Sequence, residues 1–367
     1  MITIKIGEKL TGKGNPCFII AEAGVNHNGD FNLAKKLIDE AQRAGVDAVK
    51  FQTFQAEKIV TSDAKQARYQ IQNIGQEESQ CAMLKRLELS YSDFRKLREY
   101  CNQKGIIFLS TPHSSKEDVD LVAQLCPAIK VGSGDLTNLP ILKYMAEKNL
   151  PIILSTGMAV LEEVKEAVDT VLPINQQLIL LHCTTNYPAL LNEVNLRAML
   201  TLKREFNLVT GYSDHTEGIK VSLAAVALDA SMIEKHFTLD KNLPGPDHKA
   251  SLEPQELKAL VEGIRNIEKR LAQGERPDDL LKELYIEEAL GNGIKKPNPS
   301  EVEVAKVARK SLVAAIDIAP GTEITEKMIT IKRPGTGILP KHLDQIIGKK
   351  TKEKIQKDEL ISWDKIS

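Results

Sequence analysis

The chain has 367 residues, 42% of them hydrophobic and 27% charged, with a formal net charge of −1. That is an ordinary globular composition with room for one large domain and a small one. The near-neutral balance argues against nucleic-acid binding by bulk electrostatics, and no apolar run approaches the ~20 residues of a membrane span. The opening "MITIKIGEKL" lacks the apolar stretch of a signal peptide, and the five cysteines include no CxxC pair. A cytoplasmic protein with reduced thiols is therefore expected.

Taken in chain order, eight short β-branched or apolar runs stand out: "CFIIAE" (17–22), "AVKFQT" (48–53), "IIFLST" (106–111), "AIKVGS" (128–133), "PIILST" (151–156), "LILLHC" (178–183), "LVTGYSD" (208–214) and "MIEKHF" (232–237). Such runs suit parallel strands buried on both faces. Between most of them lie amphipathic stretches such as "NLAKKLIDEAQRAG" (32–45) and "SDFRKLREYCNQKG" (92–105), several closing on the glycine that ends many helices. Eight strand–helix units over about 270 residues predict an α/β fold, a (β/α)8 TIM barrel. An open doubly wound sheet is the rival, but no G-x-G-x-x-G follows the first strand.

Beyond residue 273 the pattern changes. The domains predicted are a barrel over 1–273, a charged helical fragment and Pro/Gly-rich linker over 274–301, and a small β-rich unit over 302–367. The last is at the small end of what folds unaided, so docking against another surface is expected.

In such barrels the active site gathers where the strands end. Here the ends carry Glu22, Lys50 and Gln52, Ser110 and Thr111, Lys130 and Ser133, Ser155 and Thr156, His182, Ser213 and His215, and Glu234 and His236, whereas every start is apolar. Alternation puts Lys50 with Gln52, Ser213 with His215, and Glu234 with His236 on shared faces. Two imidazoles on neighbouring strand ends suit a divalent metal that keeps positions open for water or substrate oxygens; hydrogen-bonded core histidines are the alternative. Inward Lys50 and Lys130 call for a bound anion, or for internal pairing with Glu22 and Glu234. Thr111, Ser133, Ser155 and Ser213 add donors suited to phosphate oxygens. The loop "LPGPDHKAS" (243–251) holds Asp247 and His248 over the mouth.

The motifs "IIAEAGVNHNGD", "AVKFQTF", "FLSTP", "KVGSGDLTNLP", "ILSTGMA", "LLHCTTNYP", "GYSDHTEG", "IEKHFTLDKNLPGPDHKASLEP" and "KRPGTGI" occur in order along nearly the whole chain. Together they resemble the bacterial sialic acid synthase family, including its legionaminate and pseudaminate relatives, with a C-terminal SAF (antifreeze-like) domain. The resemblance implies condensation of phosphoenolpyruvate with an N-acylated mannosamine-type sugar to a nine-carbon 2-keto acid and phosphate. It also implies a divalent metal on His215 and His236, expected to be Mn2+, with Mg2+ or Co2+ as alternatives. Carried over by position, Lys50, Thr111, Lys130, Ser133, Ser155, Ser213 and Thr185 are expected on phosphoenolpyruvate, and Gln52, Asp135, Tyr187, Asp247 and Arg333 on the sugar. Glu22 is expected at the reacting centre, as general acid/base or as an ion-pair partner of Lys50. Asp135 replaces the glutamate of many relatives, and Thr185 an asparagine of some. Arg333 is expected in the site of a second subunit, which implies a domain-swapped homodimer. N-acetylmannosamine is the expected acceptor. A 2,4-diacetamido-2,4,6-trideoxymannose is the alternative, and a metal-dependent sugar isomerase the rival on the same barrel.

Overall fold

The computed structural model describes residues 2–113 and 115–367. An antiparallel hairpin comes first, β1 (Thr3–Ile6) and β2 (Lys9–Gly12). The barrel strands follow: β3 (Phe18–Gly24), β4 (Ala48–Thr53), β5 (Ile107–Pro112), β6 (Ile129–Val131), β7 (Ile152–Ser155), β8 (Leu178–Cys183), β9 (Val209–Asp214) and β10 (Met232–His236). Their parallel ladder runs β5-β4-β3-β10-β9-β8-β7-β6, and β5 lies beside β6 across the remaining seam, so the barrel is nearly closed. The expected (β/α)8 architecture is what the chain adopts.

The outer helices follow the physics of their sequences. In Phe31–Ala44 the Asp30 side chain accepts from the N–H groups of Asn32 and Leu33, and Gly45 ends the helix at φ 82°. Ala34, Leu37, Ile38, Ala41 and Ala44 recur at three- and four-residue spacing and form its buried face.

The hairpin was not anticipated, although "TIKI" alternates and buries Ile4 and Ile6. It seats against the barrel's lower end, where Thr11 Oγ1 donates to the Ser231 carbonyl (2.9 Å) and Lys9 pairs with Asp47. The long β4–β5 connection carries short helices (Ala56–Ile59, Arg68–Ile74, Gln80–Lys85) and its own small apolar cluster around Phe54, Ile59 and Met83.

The linker expected over 274–301 is largely ordered on the barrel. Helices Pro277–Leu284 and Glu287–Leu290 bury Leu280, Leu281, Ile286 and Ala289 in the main core. A further helix, Pro299–Ala308, crosses the boundary placed at 302. Beyond it β11 (Ser311–Ala314) and β12 (Ile329–Lys332) pair antiparallel, over a separate core that includes Leu312, Ile324, Ile346 and Ile361. No helix among the described residues is long and apolar enough to cross a membrane.

Candidate active site

The strand ends open into one cavity whose lining includes Glu22, Lys50, Lys130, Ser213, Glu234 and His236. The regular β3–β4 register pairs Glu22 with Lys50 just before a bulge at Glu22/Gly24, and His236 is the register partner of Glu22 on the other side. Three adjacent strands therefore deliver a carboxylate, an ammonium and an imidazole at the same height.

The polar groups form a continuous buried network. Lys50 Nζ lies 2.6 Å from Glu22 Oε2 and 3.8 Å from Glu234 Oε2, and it donates to Thr111 Oγ1 (3.2 Å). Lys130 Nζ donates to Ser155 Oγ (2.7 Å) and lies 3.5 Å from Glu234 Oε1, which accepts from Ser213 Oγ (3.0 Å). The structure shows the internal pairing of the lysines with Glu22 and Glu234, with the hydroxyls of Thr111, Ser155 and Ser213 close by.

The two carboxyls are driven apart. Burial pushes Glu22 up; Lys50 opposes this, the Glu234 charge reinforces it, and the net shift is upward. Burial acts on Glu234 too, but Lys130, Lys50 and the Ser213 hydroxyl outweigh it and hold that carboxyl low. Glu234 is the fixed anion of the pair, and Glu22 is the one suited to carry a proton.

On the far side, His215 and His236 have ring centroids 5.5 Å apart, with Tyr187 packed at 4.2 Å and 5.4 Å from them. His215 Nδ1 faces the Thr184 carbonyl at 2.7 Å; a carbonyl only accepts, so Nδ1 carries the hydrogen and Nε2 the lone pair. Burial lowers the His215 pKa to about 4, and burial with the His215 neighbour puts His236 well below its usual range. His236 Nδ1 is buried without a hydrogen-bond partner, 3.9 Å from Asp247 Oδ2. Two neutral imidazoles, one with its tautomer set by a carbonyl and one with an orphaned nitrogen, fit a divalent cation. Among the described residues no third His, Cys, Asp or Glu completes a set able to hold a metal alone, so water or substrate oxygens would fill the remaining positions.

Of the other expected residues, Gln52, Thr111, Ser133, Ser155, Thr185, Tyr187 and Asp247 all line the cavity. His248 does not: it braces the loop between Thr238 Oγ1 (2.7 Å) and Asn28 Oδ1 (3.2 Å). His182 faces the helical layer, bonded to the Val194 carbonyl (2.8 Å).

Asp135 is not among the lining residues; its carboxylate is buried against Lys310 Nζ (3.1 Å) and Asn138 Nδ2 (3.1 Å), because its side chain points back toward the segment leading into the C-terminal domain. Arg333 lines the cavity, with residues of the same chain around it. The N–H of Arg333 donates to the Ile59 carbonyl (2.7 Å), its carbonyl accepts from Thr61 (3.0 Å), and Nη1 reaches Gln80 Oε1 (3.5 Å). The helix Pro299–Ala308 packs at the mouth, with Val304, Val307 and Ala308 among the lining residues.

Sequence reasoning passed over His113, Tyr69, Gln70 and Gln80, which also line the cavity. His113 was within reach, two positions after Thr111 on the same face. Gln52 donates from Nε2 to Glu22 Oε1 (2.9 Å), so its Oε1 faces His113 Nε2 (3.3 Å), which must carry the hydrogen. The other three come from the β4–β5 connection, where no strand-end rule applies.

The NeuB family model matches residues 37–276 and the SAF domain model residues 309–367. An N,N'-diacetyllegionaminic acid synthase of Campylobacter jejuni is 50% identical over 347 residues, 94% of this chain and 98% of that protein. One from Legionella pneumophila is 43% identical over 365 residues, 98% of this chain and 97% of that protein. The solved structure of the spore coat polysaccharide biosynthesis protein SpsE of Bacillus subtilis matches with a TM-score of 0.84 at 36% identity, covering 100% of this chain and 99% of that one. Barrel, mouth and C-terminal domain are matched in one continuous stretch, and the chain belongs to the NeuB family, the sialic acid synthase family its motifs resemble.

Proposed function

We propose that the protein condenses phosphoenolpyruvate with 2,4-diacetamido-2,4,6-trideoxymannose to give N,N'-diacetyllegionaminate and phosphate. The observation that carries the reading is the pairing, in one cavity, of two buried ammoniums set among hydroxyls with two neutral imidazoles. The first group suits a phosphate-bearing carboxylate, the second an electrophilic carbonyl. N-acetylmannosamine was the acceptor expected from the sequence; two relatives named N,N'-diacetyllegionaminic acid synthases, at 50% and 43% identity, favour the diacetamido sugar.

In this reaction C3 of phosphoenolpyruvate attacks the aldehyde carbon of the open-chain sugar. Water adds at C2, and the C2–O bond breaks as phosphate leaves. Lys130 with Ser155, and Lys50 with Thr111, bind and orient the anionic substrate, displacing part of their contact with Glu234. Glu234, the carboxyl held low, faces both lysines and favours their charged forms against burial. Glu22, its pKa raised, gives a proton to the aldehyde oxygen as that oxygen becomes a hydroxyl. A divalent cation such as Mn2+, held by His215 and His236 when bound, supplies Lewis-acid polarisation of that oxygen. Tyr187, Gln52 and Arg333 form the outer wall on which the sugar rests.

Phosphate release in the presence of phosphoenolpyruvate, Mn2+ and each candidate sugar tests the proposal. Release is expected only with a sugar present, and fastest with the diacetamido compound. Release without sugar, or none with any candidate, would overturn the synthase reading; faster release with N-acetylmannosamine would overturn the acceptor.

A further inference from the structure

The helix Pro299–Ala308 shapes the cavity in a way that no strand-end rule anticipates. Glu301 is 1% exposed and has no Lys or Arg within ion-pairing distance among the described residues. One of its oxygens accepts from two main-chain N–H groups at once, Met158 (2.7 Å) and Thr185 (2.8 Å). The other accepts from Asn298 N–H (3.0 Å) at the helix start. These N–H groups belong to the loops after β7 and β8, next to Ser155 and Cys183.

At the opposite end of the helix Arg309 grips the same loop. It forms a two-pronged pair with Glu163 (2.7 Å and 2.7 Å) and donates to the Met158 carbonyl (2.7 Å). Met158 is thus held on both sides of its residue, N–H by Glu301 and C=O by Arg309. It needs such a hold: its φ is 61°, a left-handed conformation that a side chain with a Cβ adopts at a cost. Just before it, Gly157 donates to Ser133 Oγ (3.0 Å), and a Cβ there would stand 2.1 Å from Thr185 Oγ1 and 2.8 Å from Ser133 Oγ. Gly157 therefore packs between Ser133 and Thr185, and Ser133, Ser155, Met158 and Thr185 all line the cavity.

We infer that Glu301 and Arg309 are positioning residues for phosphoenolpyruvate: the helix leading to the C-terminal domain sets the strained 157–158 turn, and that turn sets Ser133 and Thr185 for the anion. The inference rests on reading the Lys130–Ser155 side of the cavity as the seat of phosphoenolpyruvate. The sugar wall (Gln52, Tyr187, Arg333) makes no contact with either residue among the hydrogen bonds described.

Calorimetric titration of phosphoenolpyruvate alone into the full chain gives the test. Glu301→Ala is expected to weaken binding about tenfold, equivalent to about 1.4 kcal/mol, and to raise the KM of phosphoenolpyruvate with little change in the KM of the sugar. Glu301→Gln keeps one oxygen for the two N–H groups and is expected to recover most of the loss. Arg309→Met, which frees the Met158 carbonyl without touching Glu301, is expected to reproduce the selective loss and serves if Glu301→Ala fails to fold. A wild-type chain that does not bind phosphoenolpyruvate would sink the functional reading itself. Wild-type binding retained in the folded Glu301→Ala or Arg309→Met variant, or a sugar KM raised as much as that of phosphoenolpyruvate, would overturn the positioning role alone.

Discussion

Replacing Lys130 with methionine keeps the length and volume of the side chain and removes only its charge and donors. In the structure Lys130 Nζ contacts Ser155 Oγ at 2.7 Å, the Val131 carbonyl at 3.2 Å and Glu234 at 3.5 Å. Two effects follow, and they have separate assays. For the fold, removing one partner of a buried pair costs about 3–5 kcal/mol when the other is left alone. Glu234 is not left alone, since Lys50 at 3.8 Å and Ser213 at 3.0 Å remain, so a loss of about 1–3 kcal/mol is expected, seen as a lowered Tm. For the ligand, one charge-assisted hydrogen bond to an anion is worth about 1.5–3 kcal/mol, or roughly a 10- to 150-fold weaker Kd at 1.4 kcal/mol per decade. Calorimetry with phosphoenolpyruvate at a temperature where the variant is folded measures that ratio. A folded Lys130→Met protein that binds with the wild-type Kd would refute the assignment of this side chain to the anion.

Three further outcomes are expected. His236→Ala should abolish tight Mn2+ binding, followed by electron paramagnetic resonance, while circular dichroism stays unchanged; retained affinity would remove the two-imidazole site. Arg333→Ala should raise the KM of the sugar far more than that of phosphoenolpyruvate, because its guanidinium stands with Tyr69 and Gln80 in the outer wall; equal effects on both would contradict that role. Acid should destabilise the fold through its buried histidines. Burial holds His182 at about 3 and His27 at about 4, against an unfolded value near ~6.5. Below that value the unfolded chain binds more protons, so stability present above ~6.5 is lost as pH falls, by up to about 1.4 kcal/mol per pH unit for each histidine. His182→Gln should flatten part of the fall in Tm between pH 6.5 and about 4, and an unchanged slope would show that this imidazole is not the group titrating.

The sequence was most legible where structure is periodic. Alternation along a strand is local, so Lys50, Lys130, His215 and His236 could be set in one basin before any coordinates were known. The hairpin was legible in principle, its Ile4 and Ile6 alternating with Thr3 and Lys5, but so short a run gives little signal by itself. What stayed hidden depends on contacts between distant segments. Met158 with Glu301 is separated by 143 residues, and Lys310 with Asp135 by 175; no spacing rule links such positions. Asp135 shows the same limit: a carboxylate after a Gly-Ser-Gly turn reads as ligand-facing, and nothing in its own segment announces the Lys310 that lies 3.1 Å away. Arg333 was expected at the sugar through the resemblance alone, and the structure has it among the residues lining the cavity.

The hairpin at the barrel's lower end has a bearing on traffic. With Ile4 and Ile6 packed beneath the strands and Thr11 tied to Ser231, the hairpin covers that end of the barrel, and the cavity lies at the strand ends. Lys50 and Lys130 line the cavity together with Tyr69, Gln80 and Arg333. On the proposed reading anion and sugar share this one cavity, and an ordered loading of the two is the outcome to look for.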